Sequence, residues 1–373
     1  MAGSLGVGLI GCGNISTTYL DLAPLFRSIE IKAVADLNPL AAKNRAEEYG
    51  LRADSINDIL AADDIDIIVN LTVPSAHFEV TKQILDAGKH AYSEKPLVLS
   101  VENGMILKKL AEERGLQVGC APDTFLGGAH QLARQHIDSG AIGKITSGTC
   151  HVMSHGMEMW HPSPDFFYQP GGGPMLDLGP YYIANLINLI GPVKRVAALT
   201  SIATPTRTIT SEPLNGREIL VGTPTNIHAL LEFEQGATIS LTASWDVWTH
   251  QHNHMELYGT KGTIILPDPN HFGGEILAAC EAGQFNPLTG WDHPLGVNNQ
   301  DTRANHRSAG LADMAQAILQ NRPPRCSLER ALHGVDVTLA ILESGKSGQF
   351  VSINSHCTRP APLLVDDAMA LLK

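Results

Sequence analysis

The chain has no apolar run approaching the roughly 18 to 20 residues that a membrane-spanning helix needs, which argues against a membrane partner. It is short of positive charge. Its 26 Lys and Arg stand against 38 Asp and Glu, a formal net charge of −12, and that sign disfavours nucleic acid and anionic lipid as partners. Cysteine is sparse and scattered: Cys12, Cys120, Cys150, Cys280, Cys326 and Cys357 form no C-x-x-C pair. Neither a zinc site nor a disulfide frame is expected from that spacing, only reduced thiols in a reducing compartment. No Lys or Arg precedes the first apolar run, so no signal peptide is expected and a cytoplasmic protein is. Aromatic residues make up only 5% of the chain, so any local cluster of them carries information.

What is present is enough apolar residue for two cores: 43% of 373 positions. Leu5–Ile10 is a short apolar run without alternation, as a buried parallel strand requires. It ends in Gly11-Cys12-Gly13-Asn14-Ile15-Ser16, a G-x-G-x-x-S variant of the dinucleotide fingerprint. Gly11 makes the tight turn and Gly13 lets backbone approach a pyrophosphate. Ser16 is small enough for helix–strand packing, and the amides of Asn14 and Ile15 open a helix toward the phosphates. A second strand, Ile29–Ala35, stops at Asp36, 20 positions after Ser16, where an acid would bind ribose hydroxyls. That acid repels a 2′-phosphate, and Leu37-Asn38-Pro39 supplies no Arg, so NAD is expected in preference to NADP.

The alternation continues. Asn38 caps a helix with Pro39 at its first position, stopped by Gly50. Strands follow at 65–71, 89–93 and 116–121, with helices between them and one opened by Ser100. This is a doubly wound parallel sheet, the Rossmann arrangement, over residues 1–124. Ligands lie at the carboxyl ends of such strands. Gly11 to Ser16, Asp36, Thr72 to Pro74 and Glu94-Lys95-Pro96 all fall there. Lys95 is therefore expected beside the cofactor, reaching toward a substrate.

These residues, with His77 and the later stretch GGGPMLDLGPYY at 171–182, resemble the Gfo/Idh/MocA family of sugar and polyol oxidoreductases across essentially the whole chain. The resemblance implies a Rossmann domain followed by an α+β domain, here 125–373, with an open, mostly antiparallel sheet. It implies NAD(P) and a carbohydrate-like substrate, with Thr72, Pro74, His77, Glu94 and Lys95 near the cofactor. It also implies that Lys95 contacts both the nicotinamide ribose and the reacting hydroxyl. The family pattern has Asp at position 177 and usually His at 181. This chain has Tyr181, as do members resembling glucose–fructose oxidoreductase and dihydrodiol dehydrogenase, so the acid–base role would map onto Tyr181.

Asp177 and Tyr181 are four apart, hence near one helix face. Pro180 between them either kinks that helix or marks its start. A nearby ammonium favours phenolate and a nearby carboxylate opposes it. Lys95, Asp177 and Tyr181 thus form the candidate catalytic set. Asp123, at the junction of the two domains, is placed with the substrate-binding candidates. The irregular stretch 154–170 adds His155, Trp160, His161 and Tyr168, because aromatic rings stack on sugar CH faces and His bonds hydroxyls. The polar loop 298–307 could wall the pocket, with His306 and Arg307 as its candidates.

Further strands are expected at 145–153, 193–203, 226–233, 237–245, 253–258 and 262–266. Helices on one face of such a sheet leave the other for a partner subunit, giving a homodimer or homotetramer. His250, His252 and His254 would share one face if extended, a possible zinc set; polar positions at the start of a strand are the reading preferred, and no metal is expected. The leading expectation is an NAD-dependent sugar or polyol dehydrogenase or reductase. Two alternatives stand beside it: a glycosidase working by transient oxidation with tightly held NAD, and a non-catalytic NAD or sugar sensor.

Overall fold

The computed structural model describes residues 3–280, 283–289 and 291–373. Six strands, β1 (Leu5–Ile10), β2 (Ile29–Ala35), β3 (Arg52–Ala53), β4 (Ile67–Asn70), β5 (His90–Ser93) and β6 (Val118–Cys120), form one sheet in the order β3-β2-β1-β4-β5-β6. Every neighbouring pair in it is parallel. All four residues of β4 and five of six in β1 are buried, which is why these strands read as unbroken apolar runs. Helices α1 (Asn14–Leu22), α2 (Pro39–Tyr49), α3 (Ile56–Ala61), α4 (His77–Asp86) and α5 (Val101–Arg114) connect them. The side chains of Asn38 and Ser100 accept from Leu40 N and Asn103 N, capping α2 and α5. Gly50 ends α2 at φ +67°.

The second half builds a mixed nine-stranded sheet in the order β16-β15-β14-β13-β7-β12-β11-β8-β17. Its strands are β7 (Ile145–Met153), β8 (Val193–Ser201), β11 (Asn226–Phe233), β12 (Thr238–Ser244), β13 (Met255–Gly259), β14 (Gly262–Leu266), β15 (Leu277–Cys280), β16 (Asn286–Pro287) and β17 (Val351–Ser352). A separate hairpin pairs β9 (Thr206–Thr208) with β10 (Glu218–Leu220). Among the described residues β12 and β7 run parallel in the large sheet, and its other pairs are antiparallel.

Strict alternation along β11 buries Ile227, Ala229, Leu231 and Phe233 and exposes His228 and Leu230. The buried face packs on α6 (Gly128–Asp138), α8 (Gly179–Leu189) and α10 (Leu328–Ser347). A single turn, α7 (Pro174–Asp177), precedes α8. Pro180 lies in the first turn of α8, so it marks a helix start, with the break at Leu178.

The C-terminal segment returns to the first sheet. From α9 (Ala309–Gln320), Leu311, Met314 and Ala315 join the core of Val7, Leu9 and Phe26, and so do Ala368 and Leu371 of α11 (Val365–Leu371). Leu328, Leu332 and Val335 of α10 close the opposite layer over Ile68 and Val118. Backbone pairing seals the join: Cys120 N donates to Cys326 O at 3.0 Å and Lys373 N to Leu25 O at 2.9 Å. The core of the N-terminal sheet therefore draws on residues far beyond position 124.

Candidate active site

The loops at the carboxyl ends of β1, β2, β4 and β5 converge. Gly11 sits at φ +107°, and a Cβ there would lie 2.6 Å from Leu71 O and 2.7 Å from Leu71 C. The turn after β1 is thus pressed against the end of β4 and admits only glycine. A Cβ on Gly13 would meet nothing within 4 Å, and Gly13 caps α1 without a side-chain bond. The first amides of that nine-residue helix are left without a side-chain cap, as a pyrophosphate cradle requires. Asp36 closes the cradle: its Oδ2 accepts from Cys12 N at 2.7 Å and its Oδ1 from Asn38 N at 2.8 Å. Burial, then the Asp36 charge, pushes the Cys12 thiol up to about 11. Asn14 and Ile15 begin α1, and Ile15 reaches the adjoining cavity.

Thr72 Oγ1 donates to Asn70 Oδ1 at 2.7 Å, and Pro74 starts the turn before α4. His77 is buried, with Nδ1 2.6 Å from Pro96 O and Nε2 3.0 Å from Thr72 O. Each ring nitrogen faces a backbone carbonyl oxygen of a different strand-end loop, so His77 sits as a brace between the two. Glu94 is fixed on both oxygens. Oε1 accepts from the buried Tyr19 hydroxyl at 2.9 Å and Oε2 from Lys95 N at 3.1 Å. The Lys95–Pro96 bond is cis.

Lys95 crosses from the first sheet to the second unit. Its Nζ donates to Asp177 Oδ1 at 2.9 Å and to Asp177 O at 2.7 Å. It also stands 5.3 Å from the centroid of the Tyr181 ring. Asp177 ends α7 and Tyr181 lies in the first turn of α8, so the helix break at Leu178 presents both to one lysine. Burial pulls the Lys95 ammonium down, but the Asp177 charge, then Tyr181, then the Asp177 hydrogen bond, more than reverse this and hold it above its ordinary value.

A cavity of about 320 Å³ opens at this junction. Ile15 and Thr18 of α1 form one side of it, and Lys95, Asp177, Tyr181, Asn270 and Arg307 supply its polar groups. Met157, Trp160, Phe167 and Leu178 supply its apolar ones. Arg307 is held by Asn270 O, Asn270 Oδ1 and Asn305 Oδ1 at 3.2, 2.9 and 3.1 Å. Burial opposes its charge, but Tyr181 beside it and the more distant Asp123 and Glu94 raise its guanidinium above the ordinary value.

Other candidates are placed elsewhere. Asp123 is buried, with Oδ2 accepting from Gly310 N at 2.9 Å; it ties α9 to the end of β6 and does not line the cavity. Tyr168 is fully buried: its hydroxyl donates to Glu158 and accepts from Met157 N at 3.1 Å. Its ring joins Trp245, Ile209 and Ile219 in a satellite core under the site loop, out of the cavity's reach. His155 stacks on Trp248 with centroids 3.4 Å apart, and His161 packs edge-on against Trp160, Phe166 and Phe167. Neither lines the cavity. His306 is buried against Val297 O. The H-x-H-x-H rings do not converge: His252 stacks on His151 at 4.3 Å and on His250 at 6.1 Å, while His254 Nδ1 lies 3.1 Å from the Tyr182 hydroxyl.

Sequence reasoning missed Asn270, a lone polar residue in a turn with no spacing to mark it. It also missed Arg207, a buried guanidinium that donates to Glu158 Oε1 at 2.8 Å, to Trp245 O at 2.9 Å and to Asp246. Arg207 bonds His155 O at 3.1 Å as well, pinning the start of the site loop to the β9–β10 hairpin.

Comparison with known proteins agrees with this arrangement. Residues 5–121 match the oxidoreductase family with an NAD-binding Rossmann fold, and residues 130–265 match the GFO/IDH/MocA C-terminal domain. Levoglucosan dehydrogenase of Pseudarthrobacter phenanthrenivorans is 26% identical over 328 residues, covering 79% of this chain and 82% of that one. D-xylose dehydrogenase of Paenarthrobacter nicotinovorans is 27% identical over 345 residues, covering 86% and 84%. The solved structure of a levoglucosan dehydrogenase with NADH superposes with a TM-score of 0.78 at 23% identity, over 94% of this chain and 100% of that one. Glycine cradle, Asp36 acid, E-K-P lysine and two-sheet architecture come together in one chain, and that chain belongs to the Gfo/Idh/MocA family of NAD-binding oxidoreductases.

Proposed function

We propose that the protein is an NAD-dependent dehydrogenase or reductase acting on a CH–OH group of a sugar, sugar derivative or polyol, with Lys95, Asp177 and Tyr181 as its catalytic groups. One observation carries the reading. A half-buried ammonium at the end of β5 and a tyrosine from the first turn of α8 face one cavity, with the cofactor cradle on its rim. When bound, NAD supplies the hydride acceptor or, in its reduced form, the donor. The chain's own residues handle the proton and the oxygen.

Lys95, held above its ordinary value, stays an ammonium near neutral pH and cannot take the hydroxyl proton. It hydrogen-bonds the reacting oxygen and stabilises the alkoxide that develops there. Asp177 keeps its Nζ aimed. Tyr181 is left as the proton acceptor in oxidation and donor in reduction. The Lys95 ammonium and the Arg307 guanidinium both stabilise negative charge gathering on its oxygen. Oxidation thus breaks one C–H and one O–H bond and leaves a carbonyl.

NAD in preference to NADP follows from the Asp36 carboxylate beside the glycine turn. The sugar dehydrogenases among the relatives support the substrate class. In this reading residues 1–124 hold the cofactor, and 125–373 carry substrate recognition and self-association. The open sheet face supports a homodimer or homotetramer, since Leu199, Leu230 and Phe350 are 74%, 50% and 64% exposed around one shallow depression. Light scattering on the purified protein measures that state.

The chemical reading is tested by NADH formation across aldoses, inositols, uronates and anhydrosugars, with Tyr181→Phe beside the wild type. The variant is expected to lose at least about a hundredfold in kcat while binding NAD normally. Turnover within a few-fold of the wild type sinks the role given to Tyr181.

A further inference from the structure

Aromatic surface at this site extends beyond the cavity. Trp160 and Phe167 line it. From them a strip of rings runs outward: Trp160 to His161 at 5.5 Å, then His161 to Phe167 at 5.1 Å and to Phe166 at 5.6 Å. Phe166 lies 4.0 Å from Phe167 and outside the cavity lining. These groups are not tucked away. Trp160 is 64% exposed, Phe166 55% and Met159 49%. On the adjoining loop Trp248 is 74% exposed and lies flat on His155.

The exposure is held in place. Beneath the strip, Glu158 O accepts from Thr210 N at 3.0 Å and Ser211 N at 3.2 Å, and Ser211 Oγ donates to His161 O at 2.6 Å. The ion pairs of the buried Arg207 with the buried Glu158 and the half-buried Asp246 fix the same segment. A loop anchored this firmly, in a chain with 5% aromatics, keeps apolar rings in water beside its reaction centre, where exposed apolar surface marks a ligand groove. The cavity itself, about 320 Å³, is at the low end of the roughly 300 to 1,000 Å³ of small-molecule sites. It suits one sugar ring and leaves the outer rings without a partner.

We propose that the substrate is a glycoside, with the reacting sugar ring in the cavity and the aglycone, an aryl group or second sugar, laid on the Trp160–Phe166 strip. The inference rests on the dehydrogenase reading above and adds no chemical step: the ring hydroxyl loses hydride and proton, and the glycosidic bond is untouched. Continuity with the cavity favours substrate over a protein partner as the occupant, since the open sheet face is elsewhere.

The test uses the full chain with NAD. Each sugar that yields NADH is compared as free sugar, methyl glycoside and phenyl glycoside. The phenyl glycoside is expected to exceed the methyl glycoside by about tenfold in kcat/KM, the scale of one ring-stacking contact. Phe166→Ala removes that advantage and changes the methyl glycoside by less than about threefold; Phe166→Leu falls between. Equal kcat/KM for phenyl and methyl glycosides overturns the inference, as does a Phe166→Ala loss that is the same for both. A Phe166→Ala protein that dissociates on gel filtration with its glycoside preference intact gives the strip to self-association instead. NADH from free sugars alone overturns the inference and spares the dehydrogenase reading; NADH from no sugar overturns both.

Discussion

Asp123→Asn tests the electrostatics under the site. Asp123 is 3% exposed, and among the described residues its side chain is bonded by Gly310 N alone. Burial pushes its carboxyl from 3.8 up to about 6; the Gly310 bond and Arg307 pull back only in part, and Glu94 adds to the push. The folded protein therefore binds this proton more tightly than the unfolded chain. Stability is greatest while the group is protonated and falls as pH rises through the window from 3.8 to about 6, then levels off. At 1.36 kcal/mol per pH unit the whole fall is about 3 kcal/mol. Asn cannot ionise and keeps an oxygen for Gly310. Denaturant unfolding of wild type and variant at about pH 4 and about pH 7 isolates the group, because every other titration cancels in the difference. The variant is expected to gain about 2 to 3 kcal/mol on the wild type between those pH values. A difference constant to within about 1 kcal/mol shows that Asp123 is ionised at little cost and refutes the reasoning.

Three further outcomes follow from the geometry. Gly11→Ala sets a methyl 2.6 Å from the Leu71 carbonyl oxygen at a φ of +107°; NAD binding by calorimetry should weaken at least about tenfold as the turn shifts, and an unchanged Kd contradicts the cradle. Asp36→Asn keeps the acceptor for Cys12 N and removes the charge; the NAD-to-NADP ratio of Kd values should move toward NADP by about tenfold, and an unmoved ratio denies Asp36 that role. Arg207→Met strands the Glu158 and Asp246 carboxylates; chemical denaturation should show a loss of about 3 to 5 kcal/mol, and a loss under about 1 kcal/mol would mean that the ion pairs do not pin the site loop.

Much of the first sheet was legible because a parallel strand buried on both faces leaves an unbroken apolar run, and because caps such as Asn38 and Ser100 act within a few residues. Ile29–Ala35 and Pro39–Tyr49 stand at the expected bounds. The two-residue β3 and the single-turn-and-a-half α3 are too short to show a period. The lysine was legible from its place at a strand end, whereas its distance to Asp177 is a property of how two units dock. Tyr168 and Trp160 show the limit of composition. Both sit in one aromatic-rich stretch, yet one is sealed against Trp245 and the other faces solvent. That sorting depends on the β9–β10 hairpin, some forty residues downstream, which no local pattern announces. Likewise α9 and α11 carry ordinary amphipathic signals that do not say which sheet they cover.

The docking of α9, α10 and α11 on the first sheet also bears on the order of synthesis. Residues 3–121 leave the ribosome long before Leu311, Leu332 and Leu371, which complete both apolar layers around β1 and β4. The cofactor-binding unit therefore waits, with apolar surface uncovered, until residues 309–371 have been made. At roughly 5 to 20 residues per second that interval lasts on the order of ten seconds or more. Helper proteins that shield nascent apolar surface would find their target there, in a sheet made well before the helices that cover it.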